Sequence, residues 1–260
     1  MRIFCVCICA VLFAALASAE EWTKKFQVTG QPELRVEADD ADVVVRPGAG
    51  NTIEARLTTR GWTLGPGGVR VTDAQTGNRV EIVIRMPREN WSFGRRSARL
   101  EVTVPRELRA DIHTGDGGVN VQGLAGEFRL STGDGPIGAE SLEGALTAKT
   151  GDGAVTVRGR FGLLDLRTGD GSISALVEAG SKMTGQWHIH TGDGNVTLKL
   201  APDFAADLEA HTSDGGITVD LPLTTGGIRT GENTVRGKLN GGGQLFRIET
   251  GDGTVRVGRL

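Results

Sequence analysis

Of the 260 residues, 40 are Gly, 8 are Pro and none is Tyr, while 38% are hydrophobic, so the chain can bury a core but has few rings with which to line an aromatic groove. Its 29 Lys and Arg against 32 Asp and Glu give a formal net charge of −3, which excludes the basic excess that holds nucleic acid or an anionic membrane. Length alone allows one large domain or two small ones, and an all-β chain of this size is commonly a single unit.

The first 19 residues read as an export signal. Arg2 precedes an apolar run from Ile3 to Leu16, and Ala17-Ser18-Ala19 before Glu20 supplies a small-residue cleavage site. The run is too short for a good membrane span, so the processed chain is expected to be released, periplasmic or extracellular, and not membrane-spanning. Cys5, Cys7 and Cys9 all lie in this segment, which leaves the processed chain without a disulfide, a thiol ligand or a lipid-accepting cysteine.

Residues 20–109 alternate in the manner of half-buried strands, with Val43 and Val45, Ile53, Ala55 and Leu57, Val80, Ile82 and Ile84, and Leu100, Val102 and Val104 on the apolar side. Pro47-Gly48, Gly65-Pro66-Gly67-Gly68 and Pro87 punctuate them. This segment is expected to form an irregular β cap over the repeats that follow. Between Pro87 and Arg96 a polar-flanked loop carries Trp91, Phe93, Arg95 and Arg96. Trp and Arg dominate interface hot spots, so these four are candidates for partner contact. Folding of the rings back over the end of the core is the other reading.

From residue 110 the sequence repeats itself. Thr-Gly-Asp-Gly begins at Thr114, Thr132, Thr150, Thr168, Thr191 and Thr250, with a near copy at Thr212 and a degenerate one, Thr230-Gly231-Glu232-Asn233. The spacing is about 18 residues, widened between Thr168 and Thr212. Apolar residues hold fixed offsets from each Thr: Ile112, Leu130, Ala148 and Leu166 two before, and Val119, Ile137, Val155 and Ile173 five after. The offsets step by two, the strand period. A second apolar-Gly signal, as in Leu124-Ala125-Gly126 and Leu142-Glu143-Gly144, predicts two short strands and two turns per unit.

A unit with four or five apolar side chains cannot bury its own inner face and must stack on its neighbours. The expected fold is therefore all-β: a parallel β-solenoid, single-stranded and β-helix-like, of about eight coils over residues 110–260, spaced about 4.8 Å apart. The rival is an antiparallel meander in which each Asp-Gly closes a hairpin. The sequence finishes on a coil with no evident cover, which leaves end-to-end self-association open; Arg256 and Arg259 could blunt that edge.

Asp116, Asp134, Asp152 and Asp170, followed by Asp193, Asp214 and Asp252, would then form a column. Asp before Gly is a common turn pair because its carboxylate can bond nearby backbone N–H groups; calcium is the alternative, and no other cofactor is implied. The spacing lacks the nonapeptide form of calcium-binding β-rolls. His188 and His190 are two apart, hence on one strand face, and His211 takes the His190 position in the next coil. Three imidazoles there suit zinc, copper or nickel, or are solvated ladder residues. Trp187, four before Thr191, falls at an inward offset and is read as core. There is no Gly-x-Ser-x-Gly elbow, no His-Glu-x-x-His and no phosphate loop.

Leu100-Glu101-Val102-Thr103-Val104-Pro105, followed by the serial Thr-Gly-Asp-Gly marker, resembles a family of exported bacterial β-strand-repeat proteins classed as an adhesin domain of unknown function. The likeness covers roughly residues 34 to 260. It implies a β-helix-like fold in the envelope or outside the cell and no established reaction, the adhesin label itself resting on analogy. The expected function is a non-catalytic surface scaffold or binding module whose partner is an envelope or surface protein or a glycan. A polysaccharide-active enzyme on the same architecture is the alternative.

Overall fold

The computed structural model describes residues 19–87, 96–224 and 233–260. No helix occurs among them; 21 strands join in one sheet. The predicted export signal up to Ser18 lies outside the described residues.

The strand-period offsets become two ladders of parallel pairs. On the first, Leu130 sits beside Ile112 on one side and Ala148 on the other, and Leu166 continues to Ile189. On the second, Val155 lies between Ile137 and Ile173. These side chains are buried and fill a continuous apolar core between the ladders. The antiparallel meander is excluded for the marked units.

The marker earns its composition at the turn. Each marker Thr among the described residues is buried, and its hydroxyl donates to carbonyls of the neighbouring unit: Thr132 Oγ1 to Gly117 O, Thr150 Oγ1 to Gly135 O and Thr168 Oγ1 to Gly153 O, at 2.9, 2.9 and 3.0 Å. The same oxygen accepts the N–H three residues on, as from Gly135 and Gly171, both at 3.2 Å. Both marker glycines face the backbone of the adjacent unit. A Cβ on Gly153 would lie 2.0 Å from Gly135 O, and one on Gly151 would lie 2.6 Å from Gly133 O. No marker glycine is among the described residues with positive φ; what the turn requires of them is room.

In two units the expected second turn is a bend within a continuous strand. Ile137–Lys149 and Val155–Thr168 run straight through it, with register shifts at Glu140/Leu142 and Gly144/Ala145. Gly126 and Gly144 have φ of 133° and 124° there, a conformation that needs glycine. The wider interval before Thr191 is absorbed by a loop in which Thr184 and the Trp187 indole both donate to Gly162 O.

At both ends the spatial order departs from the chain order. The last unit, Leu245–Thr250 with Val255–Arg259, was expected to leave an open edge. It instead lies inside the stack: Ile248 pairs with Ile189 on one side and Ala210 on the other, and Val255 with Val196 and Ile217. The unit at Thr212 is outermost and is covered by the antiparallel strand Thr234–Leu239. The degenerate copy at Thr230 therefore supplies no parallel unit from its described part; residues 225–232 lie outside the described residues.

The other end mirrors this. Glu33–Ala38 and Asp42–Pro47, within the segment read as a cap, pair in the register of the marked units: Val36 with Ile112, and Val43 with Val119. Outside them lie Arg79–Arg85 and Ser97–Val104, then the antiparallel strands Thr52–Arg60, Ala19–Gln27 and Arg70–Thr76.

Candidate functional site

With Thr and both glycines committed to the turn, Asp supplies the marker side chain that faces solvent. The register orders these side chains along one edge as Asp116, Asp134, Asp152, Asp170, Asp193, Asp252 and Asp214, all exposed. Asp40 extends the row, its carboxylate accepting Asp116 N at 3.4 Å. The seven marker carboxylates take no hydrogen bond or ion pair from the described residues; the Thr hydroxyl accepts the turn N–H that the Asp was expected to bind. One carboxylate per layer gives a row, not a cage with several oxygens around one point, which is what calcium takes.

Neighbouring charges about 4.8 Å apart repel by about 0.9 kcal/mol each in water, reduced by salt. Asp152→Asn is therefore expected to stabilise the fold by about 1 kcal/mol at moderate ionic strength, and by nearly nothing in about 1 M salt, where the screening length falls to about 3 Å. Urea unfolding at two salt concentrations measures this. A destabilisation instead would mean that the carboxylate does close the turn.

Of the three histidines singled out in the sequence, the structure brings His188 and His190 together and sets His211 apart. His188 and His190 share one face of Trp187–Thr191, with ring centroids 6.0 Å apart. Because the late unit intervenes, the residue beside His190 is Glu249, and His211 lies one strand further on. His188 Nε2 donates to Glu249 Oε2 at 2.9 Å, and His190 Nδ1 is 3.9 Å from the same oxygen. His211 Nδ1 is engaged with Thr234 Oγ1 at 3.0 Å. The hydrogen bond from His188 holds the Glu249 carboxyl below its ordinary value; desolvation opposes this, and the charges of His188, Arg247 and His190 reinforce it. Glu249 carried no signal in the sequence, since its place depends on the exchanged order of units.

Trp187 is fully buried beneath this face, against Phe204 and Phe246 at centroid distances of 5.0 and 5.4 Å. On the second ladder an open trough of about 560 Å³ crosses the outer face, lined among others by Asp42, Arg46, Arg99, Asn120, Gln122 and Glu140. It offers donors and acceptors of both charge signs and no aromatic ring. Of the predicted partner loop, Trp91, Phe93 and Arg95 lie outside the described residues. The Arg96 guanidinium packs over the Trp62 ring, 4.2 Å from its centroid. No helix of the described residues is long and apolar enough to cross a membrane.

None of the curated proteins matches the chain. Among solved structures it is similar to a "putative adhesin" of Bacteroides fragilis, at 11% identity over 94% of this chain and 99% of that one, with a TM-score of 0.49. It is also similar to a "putative lipid binding protein" of Parabacteroides distasonis, at 11% identity over 91% and 96% with a TM-score of 0.45. A "putative adhesin" of Parabacteroides merdae follows at 11% identity over 92% and 96%, with a TM-score of 0.43. The model of the Toastrack DUF4097 family matches residues 32–258, a span that takes in every parallel unit from Glu33 to the last, and the chain belongs to that family.

Proposed function

We propose that the chain is a non-catalytic binding or scaffold module of the bacterial envelope, exported to the periplasm or the cell surface, and built as a parallel β-solenoid with seven marked units and the unmarked unit at residues 33–47. The observation that carries this reading is the division of labour within the marker. Thr is turned inward and the two glycines lie close against the backbone of the adjacent unit, so the repeat exists for stacking, and the outer faces are left as regular ladders of side chains. Ladders of that kind suit an extended partner that is met at many points. The trough beside Arg46, Arg99 and Asn120 is where a polar ligand, a glycan or an extended segment of an envelope protein, meets the most convergent groups. The acidic side chains at the marker stand side by side in a row, without the facing pair that glycoside hydrolysis uses.

The test is retention on glycan and cell-surface arrays, with assay of the eluate for reducing ends and unsaturated sugars. Retention without product is expected, weakened at least tenfold by Arg99→Ala combined with Asn120→Ala. Release of sugar products would overturn the non-catalytic reading, and unchanged retention in the double variant would remove the trough as the contact.

A further inference from the structure

We propose that His188, His190 and Glu249 form a binding site for one divalent transition-metal ion, zinc in the first instance, with at least one coordination position open to solvent. The ligand atoms of the three side chains all lie within 4.8 Å of one another. Zinc binds imidazole nitrogen and carboxylate oxygen at about 2.0–2.2 Å, which for tetrahedral angles puts ligand atoms about 3.4 Å apart. The 2.9 Å and 3.9 Å separations from Glu249 Oε2 bracket that value.

The backbone beneath is fixed. His190 and Glu249 are direct partners in a parallel ladder, and the strand that carries both histidines is anchored on each side of His188 by the buried Trp187 and Ile189. A site on paired strands over a packed core holds its geometry better than one on a loop. The three side chains are nevertheless reachable, with 30%, 47% and 35% of their surfaces exposed for His188, His190 and Glu249.

Both arginines that flank the histidines have carboxylate partners of their own. Arg167, beside His190, is held by both oxygens of Asp165 at 2.8 and 3.1 Å. Arg247, beside His188, bonds Glu209 at 3.4 Å and comes only to 3.9 Å from Glu249 Oε1. Two imidazoles and one carboxylate without a thiolate favour zinc, copper or nickel over calcium or magnesium. The site also breaks the repeat: the two positions held here by His188 and His190 are Asp165 and Arg167 in the preceding unit, and Thr147 and Lys149 in the one before. A ladder of solvated side chains gives no reason for two imidazoles at this one place.

The experiment is calorimetric titration of the metal-stripped full chain with zinc chloride, alongside thermal unfolding. One equivalent is expected to bind and to raise Tm, since an ion that binds only the folded state stabilises it. His188→Ala and Glu249→Gln should each weaken binding at least tenfold, while His211→Ala, across Glu249, should leave it within twofold. All three positions are on the outer face, and an unaltered Tm of the metal-free variants verifies that they fold. The proposal is overturned if the wild type binds no zinc, if the combined His188→Ala and Glu249→Gln variant binds as tightly as the wild type, or if His211→Ala costs as much as His188→Ala.

Discussion

Gly171→Ala is expected to destabilise the fold by about 3 kcal/mol or more, at the upper end of what one added methyl group does in a packed interior. The new Cβ would lie 2.0 Å from Gly153 O, 2.6 Å from its carbonyl carbon and 2.7 Å from Thr168 Oγ1. Two of these atoms are backbone and the third is the hydroxyl that ties the turn to Gly153 O. Relief therefore requires the two units to separate at the turn, which breaks the hydrogen bonds that define it. Gly185, whose Cβ would meet nothing within 4 Å, supplies the control: Gly185→Ala should stay within about 0.5 kcal/mol of the wild type, as ordinary surface substitutions do. Urea midpoints compare the two. If they coincide, the marker turns are not in van der Waals contact and the account of the repeat given above is wrong.

A chain ending at Gln244 should lose far more. In a stack laid down strictly in chain order, the last unit has one neighbour and its removal costs least. Here residues 245–260 lie between two units, and their loss removes the buried Phe246, Ile248, Val255 and Val257. At roughly 1.5–3 kcal/mol for each buried side chain, the sum is on the order of 10 kcal/mol, comparable with the whole net stability of a typical domain. Trp187 would lose Phe246 from its ring cluster, and Thr212 would lose the Gly251 and Gly253 carbonyls that accept its hydroxyl. The expected result is red-shifted Trp fluorescence and rapid proteolysis between residues 201 and 244. Wild-type emission together with protease resistance through that span would refute the exchanged order.

The two apolar rows were readable because a constant offset from Thr fixes the inward side of each unit, and Val155 between Ile137 and Ile173 follows from the period alone. What periodicity does not carry is sequence of placement. Parallel strands with the same apolar pattern are interchangeable in a ladder, so the Thr250 unit fits equally well beside Thr191 or beyond Thr212. That ambiguity put His211 where Glu249 belongs. One signal was present in the residues: Asn233 stands where the marker has its second glycine, a position at which any Cβ would strike a carbonyl of the unit below. Ala41 occupies the equivalent place in the unmarked unit, where the strands on that side, Arg79–Arg85 and Ser97–Val104, are joined by a long connection and not by a marker turn. The role of Thr was also missed, because a buried hydroxyl with three partners cannot be told from an ordinary turn residue until the neighbouring carbonyls are in place.

The displaced first and last units bear on how the molecule is made. The slot for residues 33–47 gains its outer wall only when residues 79–104 have emerged, and residues 206–219 can reach their resting place only after residues 245–259 have gone in ahead of them. A nascent polypeptide can therefore zip its middle layers in order of synthesis, but neither extremity can be completed that way. The final docking step must wait for the arrival of the last strands, and until then the half-built terminus shows an apolar edge to which a chaperone, or a second unfinished chain, would bind.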